Sequence, residues 1–250
     1  MNEPVIVFDK VTKRYPLYHH MTGGLKNFLF HLPRALNTLK NSKYEALRNV
    51  SFTVAKGEAL GIIGRNGAGK STTLGLIAGV LKPTEGKVVV KGKISPFLEL
   101  GGSFHPELTG KENIMLNGVL LGLTRKKIIK KMDEIIEFSE IGDFIDQPIR
   151  IYSSGMLARL GFSVVAHLDP DILLIDEVLQ AGDIEFQKKC FQRMWEFRKS
   201  GVTMVFVSHS MENVKTLCDR VIWFDQRTIR MDGAPQDVVS HYKSSAGVHT

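Results

Sequence analysis

Short apolar runs recur along the chain and alternate with stretches of helical spacing. Ala59–Ile63, Ile172–Ile175, Met204–Val207 and Val221–Phe224 are unbroken apolar runs of strand length, the pattern of strands covered on both faces. Val5–Phe8, Ser51–Val54 and Lys87–Val90 read instead as strands of a flanking antiparallel sheet. The alternation predicts an α/β fold, a mostly parallel sheet with helices on its faces. One block interrupts it. Thr109 and Glu112 are spaced as a capping box, a hydroxyl at the N-cap and a carboxylate three residues on. They open a helical stretch that continues, with breaks, to about Asp146, and we read residues 103–155 as a helical subdomain inserted in the core.

The early segment has its own character. From Lys10 to Tyr44 there is no acidic residue, while Lys10, Lys13, Arg14, Lys26, Arg34, Lys40 and Lys43 are basic. Leu25, Phe28, Leu29 and Leu32 fall at i, i+3, i+4 and i+7, one face of a helix that Pro33 ends or kinks. A basic amphipathic helix at about 20–44 fits a membrane surface or a partner, and equally an apolar face packed on its own domain.

Bulk properties narrow the picture. The 250 residues allow one large domain, read here as 1–250 with a tail at 240–250, and a hydrophobic content of 43% is that of a chain that buries a core. The net charge of +7 suits a surface that meets phosphates or an anionic membrane, without choosing between them. Two scattered cysteines, Cys190 and Cys218, are too few for a disulfide framework or a zinc site, which points to a reducing compartment. The N-terminus has no basic region followed by an apolar core, so no signal peptide is expected. Without a run of about 18 apolar residues the chain is not expected to cross a bilayer. If it drives transport, another polypeptide supplies the path.

The chemistry is concentrated in a few segments. Gly64, Arg65, Asn66, Gly67, Ala68, Gly69, Lys70 and Ser71 match G-x-x-x-x-G-K-[ST] between a strand and a helical pattern, the setting a phosphate-binding loop requires. Its glycines let backbone N–H groups converge on phosphate oxygens, and the helix N-terminus adds to the attraction. Lys70 is expected on the β- and γ-phosphates of a nucleotide, the Ser71 hydroxyl on Mg²⁺, and Thr72 on the α-phosphate. Asp171–Glu177 is a buried strand ending in two carboxylates. Asp176 is expected to hold Mg²⁺ through water, and Glu177 to polarise a water in line with the γ-phosphate.

Tyr152, Ser153, Ser154, Gly155 and Met156 resemble the L-S-G-G-Q signature of ABC ATPases, followed by a helix from about Leu157 and then Asp169-Pro170-Asp171. Ser153 and Gly155 match; Ser154 and Met156 depart from it. A P-loop NTPase core of the ABC type with flanking antiparallel and inserted helical subdomains is what the resemblance implies. It also implies that Ser153, Ser154, Gly155, Met156 and Asp183, in the loop Ala181-Gly182-Asp183, reach the nucleotide of a second copy. Tyr15, or its neighbour Tyr18, matches the aromatic that stacks on adenine, and His209 the histidine that senses the γ-phosphate. The segment Ile94–Glu107 lacks the usual glutamine. Glu99 is the nearest replacement and a possible Mg²⁺ or water ligand, although Leu100 fits an ungapped register.

The Tyr-Ser-Ser-Gly-Met turn, the stretch Leu98–Gly110, the segment Ile175–Asp183 and the early basic helix together resemble ATPases that export O-antigen, capsule or teichoic-acid chains. That branch implies two copies beneath an integral-membrane permease, itself in two copies, at the cytoplasmic face of the membrane. It implies a lipid-linked polysaccharide as cargo, a gate-like role for the early helix and no nucleic acid; some members carry a C-terminal carbohydrate-binding domain, which this chain, ending soon after Tyr242, is expected to lack. The alternatives are an ATPase for a lipid or drug transporter, or a permease-free ABC-type ATPase.

Overall fold

The computed structural model describes residues 3–16, 43–97, 104–176 and 183–245. Strands β1 (Pro4–Pro16), β2 (Lys43–Ala55) and β4 (Glu85–Val90) form an antiparallel sheet in the order β2-β1-β4. Strands β5 (Ile94–Phe97), β6 (Ile172–Asp176), β7 (Thr203–Val207), β3 (Ala59–Ile63), β8 (Arg220–Asp225) and β9 (Thr228–Gly233) form a second sheet, in that order. All neighbours in it are parallel except the antiparallel edge strand β9.

Side-chain alternation along these strands divides the interior into two cores. Leu60, Ile62, Ile172, Leu174, Val205, Val207, Ile222 and Phe224 point to one side, where they meet α1 (Lys70–Ile77) and the antiparallel sheet. Ile63, Leu173, Ile175, Met204, Phe206, Val221 and Trp223 point to the other. There they meet the helices α2 (Gly110–Leu120), α3 (Arg125–Ser139), α4 (Ser154–Ala166), α5 (Ile184–Lys199), α6 (Met211–Leu217) and α7 (Pro235–Ser245). Burial on both faces explains why the central strands carry no polar alternation.

Helices α2 to α6 each open on a side chain that accepts a backbone N–H: Thr109, Thr124, Ser153, Asp183 and Ser210. The Thr109–Glu112 capping box is reciprocal, Glu112 N donating to Thr109 Oγ1 at 3.2 Å and Thr109 N to Glu112 Oε2 at 2.8 Å.

Four expectations change. β1 and β2 each run for 13 residues, far beyond the short apolar runs, because shifts of register at Lys10 (φ 48°) and Asn49 (φ 47°) bend the pair without ending it. Lys43 and Tyr44 belong to β2, so the insertion expected at 20–44 gives up its last two residues, and its helix at 25–32 lies outside the described residues. The signature helix begins at Ser154 rather than near Leu157, since Ser153 is already its N-cap. Residues 240–245 belong to α7 rather than to a tail: Tyr242 packs edge-on against Trp223, ring centroids 5.4 Å apart.

Candidate functional site

The parallel strands deliver three candidate segments to one edge of the sheet. Asp176 pairs in register with Val207, and Val207 with Ile62. The strand ends leading to the phosphate loop, to Asp176 and to His209 therefore lie in one row. Adjacent strands are about 4.8 Å apart, so Asp176 stands about 10 Å from the base of the loop. The carboxyl ends of parallel strands are where open α/β sheets bind ligands.

The loop itself is closely wrapped. Gly64, Gly67 and Gly69 have φ of 151°, 77° and 107°. A Cβ on Gly64 would lie 2.4 Å from the Phe224 carbonyl oxygen, and one on Gly69 2.8 Å from that of Ala46. These two positions admit only glycine. Lys70, 7% exposed, donates from Nζ to the carbonyls of Gly64 at 2.8 Å and Arg65 at 3.2 Å, so its ammonium lies inside the loop. Arg65, Asn66, Gly67 and Ser71 are exposed around it, Thr72 is half-buried and Ala68 is buried. A buried ammonium, a left-handed glycine turn and the N-terminus of α1 together fit a polyphosphate.

The oxygens available to a cation are sparse. Ser71 is exposed at the start of α1 and Asp176 is half-buried at the end of β6. Among the described residues no group of three or more His, Cys, Asp or Glu could hold a metal ion. A hydroxyl and a carboxylate fit Mg²⁺, which keeps most of its shell as water and phosphate oxygen. Glu177 and Glu99 lie outside the described residues. His209 is exposed just beyond β7, and next to it Ser208 Oγ accepts the Ser210 N–H at 3.0 Å, shaping the turn into α6.

The second group of candidates sits at the start of α4. Ser153 Oγ accepts the Met156 N–H at 3.2 Å, Ser154 is exposed, and Gly155 and Met156 are half-buried. Tyr152 anchors the turn: it is buried, its hydroxyl donates to the Phe144 carbonyl at 2.5 Å, and burial pushes its phenol up. Among the described residues a Cβ on Gly155 would meet only Ser153 Oγ, at 3.8 Å, and nothing among them calls for glycine there. Asp183 accepts the Phe186 N–H at 2.9 Å and pairs with Arg159.

Tyr15 stands directly opposite Tyr44 across β1 and β2, with Lys13 Nζ 4.9 Å over the Tyr15 ring. Tyr18 lies outside the described residues. Tyr44, missed from sequence, reaches the phosphate loop: its hydroxyl is 3.9 Å from a Cβ built on Gly67, and Arg227 lies 4.8 Å over its ring. The register of β2 could have found it, but its place at the end of an acid-free segment assigned it to the insertion. Arg159 was missed as well, and no motif marks it as a link between helices.

Comparison with known proteins agrees with this arrangement. The family model described as ABC transporter matches residues 47–180. An O-antigen export system ATP-binding protein RfbB of Klebsiella pneumoniae is 58% identical over 243 residues, 97% of this chain and 99% of that protein. A second RfbB of the same organism is 59% identical over 242 residues, 97% and 98% of the two chains. A dimeric ATP-binding cassette solved in a post-hydrolysis state with ADP and phosphate superposes with a TM-score of 0.73 at 22% identity, covering 92% of this chain and 98% of its own. The chain belongs to the ABC transporter family, as one of its ATPases.

Proposed function

We propose that this ATPase powers export of a lipid-linked polysaccharide of the O-antigen kind, as a pair of copies beneath a separate permease at the cytoplasmic face of the membrane. Full-length similarity to the Klebsiella export ATPases supports the cargo class. Among the described residues no helix is long and apolar enough to cross a membrane, in keeping with a separate permease. The observation that carries the paired arrangement is Gly155. Among the described residues a side chain there would meet only Ser153 Oγ, at 3.8 Å, beside the N–H groups at the start of α4, and a second copy's nucleotide would use that space.

Lys70 and the backbone of 64–72 hold the triphosphate, and Ser153 to Met156 of the other copy close over it. Ser71 and Asp176 are the residues that would hold Mg²⁺, which supplies neutralisation of phosphate charge. Glu177 orients the attacking water and His209 faces the γ-phosphate. The helical subdomain expected at 103–155 passes closure to the permease, and the basic segment at about 20–44 belongs beside that permease.

The Glu177→Gln variant tests the pairing. It should bind ATP, lose turnover and elute as a dimer in ATP; a monomer at saturating ATP overturns the paired site. Pull-down from detergent extract should recover a permease, and lipid-linked glycan should stimulate turnover of the recovered complex. Recovery of no membrane protein overturns the exporter reading, and stimulation by a lipid or drug in place of the glycan redirects the cargo.

A further inference from the structure

Arg159 joins three helices through one guanidinium. It lies on α4, beyond the turn Ser153–Met156, and is 18% exposed. Its Nη1 donates to Glu140 Oε2 at 2.7 Å and its Nη2 pairs with Asp183 Oδ2. Its guanidinium lies 4.8 Å over the Phe186 ring, in the first turn of α5.

Each carboxylate oxygen in the group has a separate partner. Glu140 closes α3 in the left-handed conformation (φ 53°), and its Oε1 accepts from Lys189 Nζ at 2.7 Å. Asp183 spends Oδ1 on the Phe186 N–H, capping α5, and Oδ2 on Arg159. Lys189 in turn lies 4.5 Å over the Phe138 ring. The carboxyls of Glu140 and Asp183 both lie below their ordinary range. Hydrogen bonds from Lys189 and then Arg159 hold Glu140 down, and the Phe186 N–H and then Arg159 hold Asp183 down. Both are ionised at neutral pH. A planar fork with several fixed donors can serve two carboxylates from different helices at once; a lysine, with a single charge centre, cannot do so in the same geometry.

We propose that Arg159 is a positioning residue for ATP hydrolysis, locking the turn Ser153–Met156 to Asp183 at the N-cap of α5 so that one copy presents both to its partner in a fixed mutual position. The inference rests on the reading that both segments complete the partner's site. A pair of copies must bring two separate segments against one nucleotide. Misplacing either by about 1 Å costs up to about 100-fold in rate. Arg159 fixes their mutual position before the copies meet.

The test compares Arg159→Met, Arg159→Lys, Asp183→Asn and the Arg159→Met/Asp183→Asn double variant of the full chain. Asparagine keeps the N-cap of α5 but turns an amide toward the guanidinium. Binding of a fluorescent ATP analogue to the phosphate loop should stay within about twofold of the parent in Arg159→Met and Arg159→Lys. The kcat should fall about tenfold or more in Arg159→Met and in Asp183→Asn, and less in Arg159→Lys. The double variant should fall no further than either single change, because the two residues act as one unit. Independent, multiplying losses overturn the proposal, as do losses in proportion to a falling melting temperature. Parent-level kcat in Arg159→Met overturns it while leaving the functional reading intact. A parent chain that neither pairs nor turns over ATP defeats that reading first, and this inference with it.

Discussion

The Tyr44 hydroxyl and Gly67 of the phosphate loop stand 3.9 Å apart, measured to a Cβ built on the glycine, although 23 residues of chain separate them in number. The end of the antiparallel sheet is thereby held over the mouth of the loop. Tyr15 faces Tyr44 across the strand pair, and opposed residues of an antiparallel pair share a face. The two rings are therefore neighbours at that end.

An aromatic pair at the mouth of a phosphate loop is suited to a nucleobase. Tyr44→Ala should raise KM for ATP about three- to tenfold with kcat little changed, matching the ~0.5–1.5 kcal/mol of an aromatic contact. Tyr44→Phe keeps the ring and should stay near the parent. Tyr15→Ala should also raise KM. Steady-state kinetics on the three variants checks this, and an unchanged KM in Tyr44→Ala refutes the contact.

Two glycines of the loop are fixed by sterics rather than by chemistry. Gly64→Ala drives a Cβ to 2.4 Å from the Phe224 carbonyl oxygen, at a φ of 151°. Gly69→Ala meets the Ala46 oxygen at 2.8 Å, at a φ of 107°. Each should cost about 2–4 kcal/mol of folding free energy and lower ATP affinity, because the loop cannot relax without moving a strand. Gly79 is the control, with a φ of 75° and, among the described residues, nothing within 4 Å of a Cβ. Gly79→Ala should cost about 1 kcal/mol and leave ATP affinity alone. Denaturant titration with a binding measurement separates the three.

The two cysteines are buried, and desolvation pushes both thiols up to about 12. A thiol reacts as its thiolate, so the folded protein should give no fast reaction with a chromogenic disulfide reagent near pH 8. Both should react once guanidinium unfolds the chain. Rapid modification of the native protein would show that one of these positions opens readily.

What could be read from the sequence depended on where the information lies. Ile172–Ile175 and Met204–Val207 were legible because burial on both faces leaves an unbroken apolar run. The Thr109–Glu112 box was legible because its chemistry is local. β5 was not, since Ile94–Phe97 is four residues long and contains a proline. β9 was not, since its positions alternate only between exposed and half-buried on a sheet edge. Tyr44 and Arg159 act through partners distant in number, Gly67 for one and Glu140 and Asp183 for the other. Residue spacing has no means of announcing such contacts.

Acid should loosen the same ion pairs that tie the helices together. Glu140, Asp183 and Asp169 all titrate below their ordinary values. Lys189 and then Arg159 hold Glu140 down, the Phe186 N–H and then Arg159 hold Asp183 down, and at Asp169 burial raises the carboxyl but Lys131 and Lys127 together outweigh it. A carboxyl whose folded value is depressed binds fewer protons folded than unfolded, so its contribution is present above the unfolded value and lost as pH falls through the folded one. Asp232 runs the other way, since burial raises it, and it offsets part of the loss. Burial holds the His167 imidazole below its ordinary range, so the unfolded chain takes up its proton first; the melting temperature should therefore decline gently from about pH 6.5 and fall more steeply below about pH 4.5. Arg159→Met should show a shallower acid fall, because Glu140 and Asp183 lose their shared cation and return toward ordinary values. Parallel acid limbs in the two proteins would mean that Arg159 holds neither carboxylate in solution.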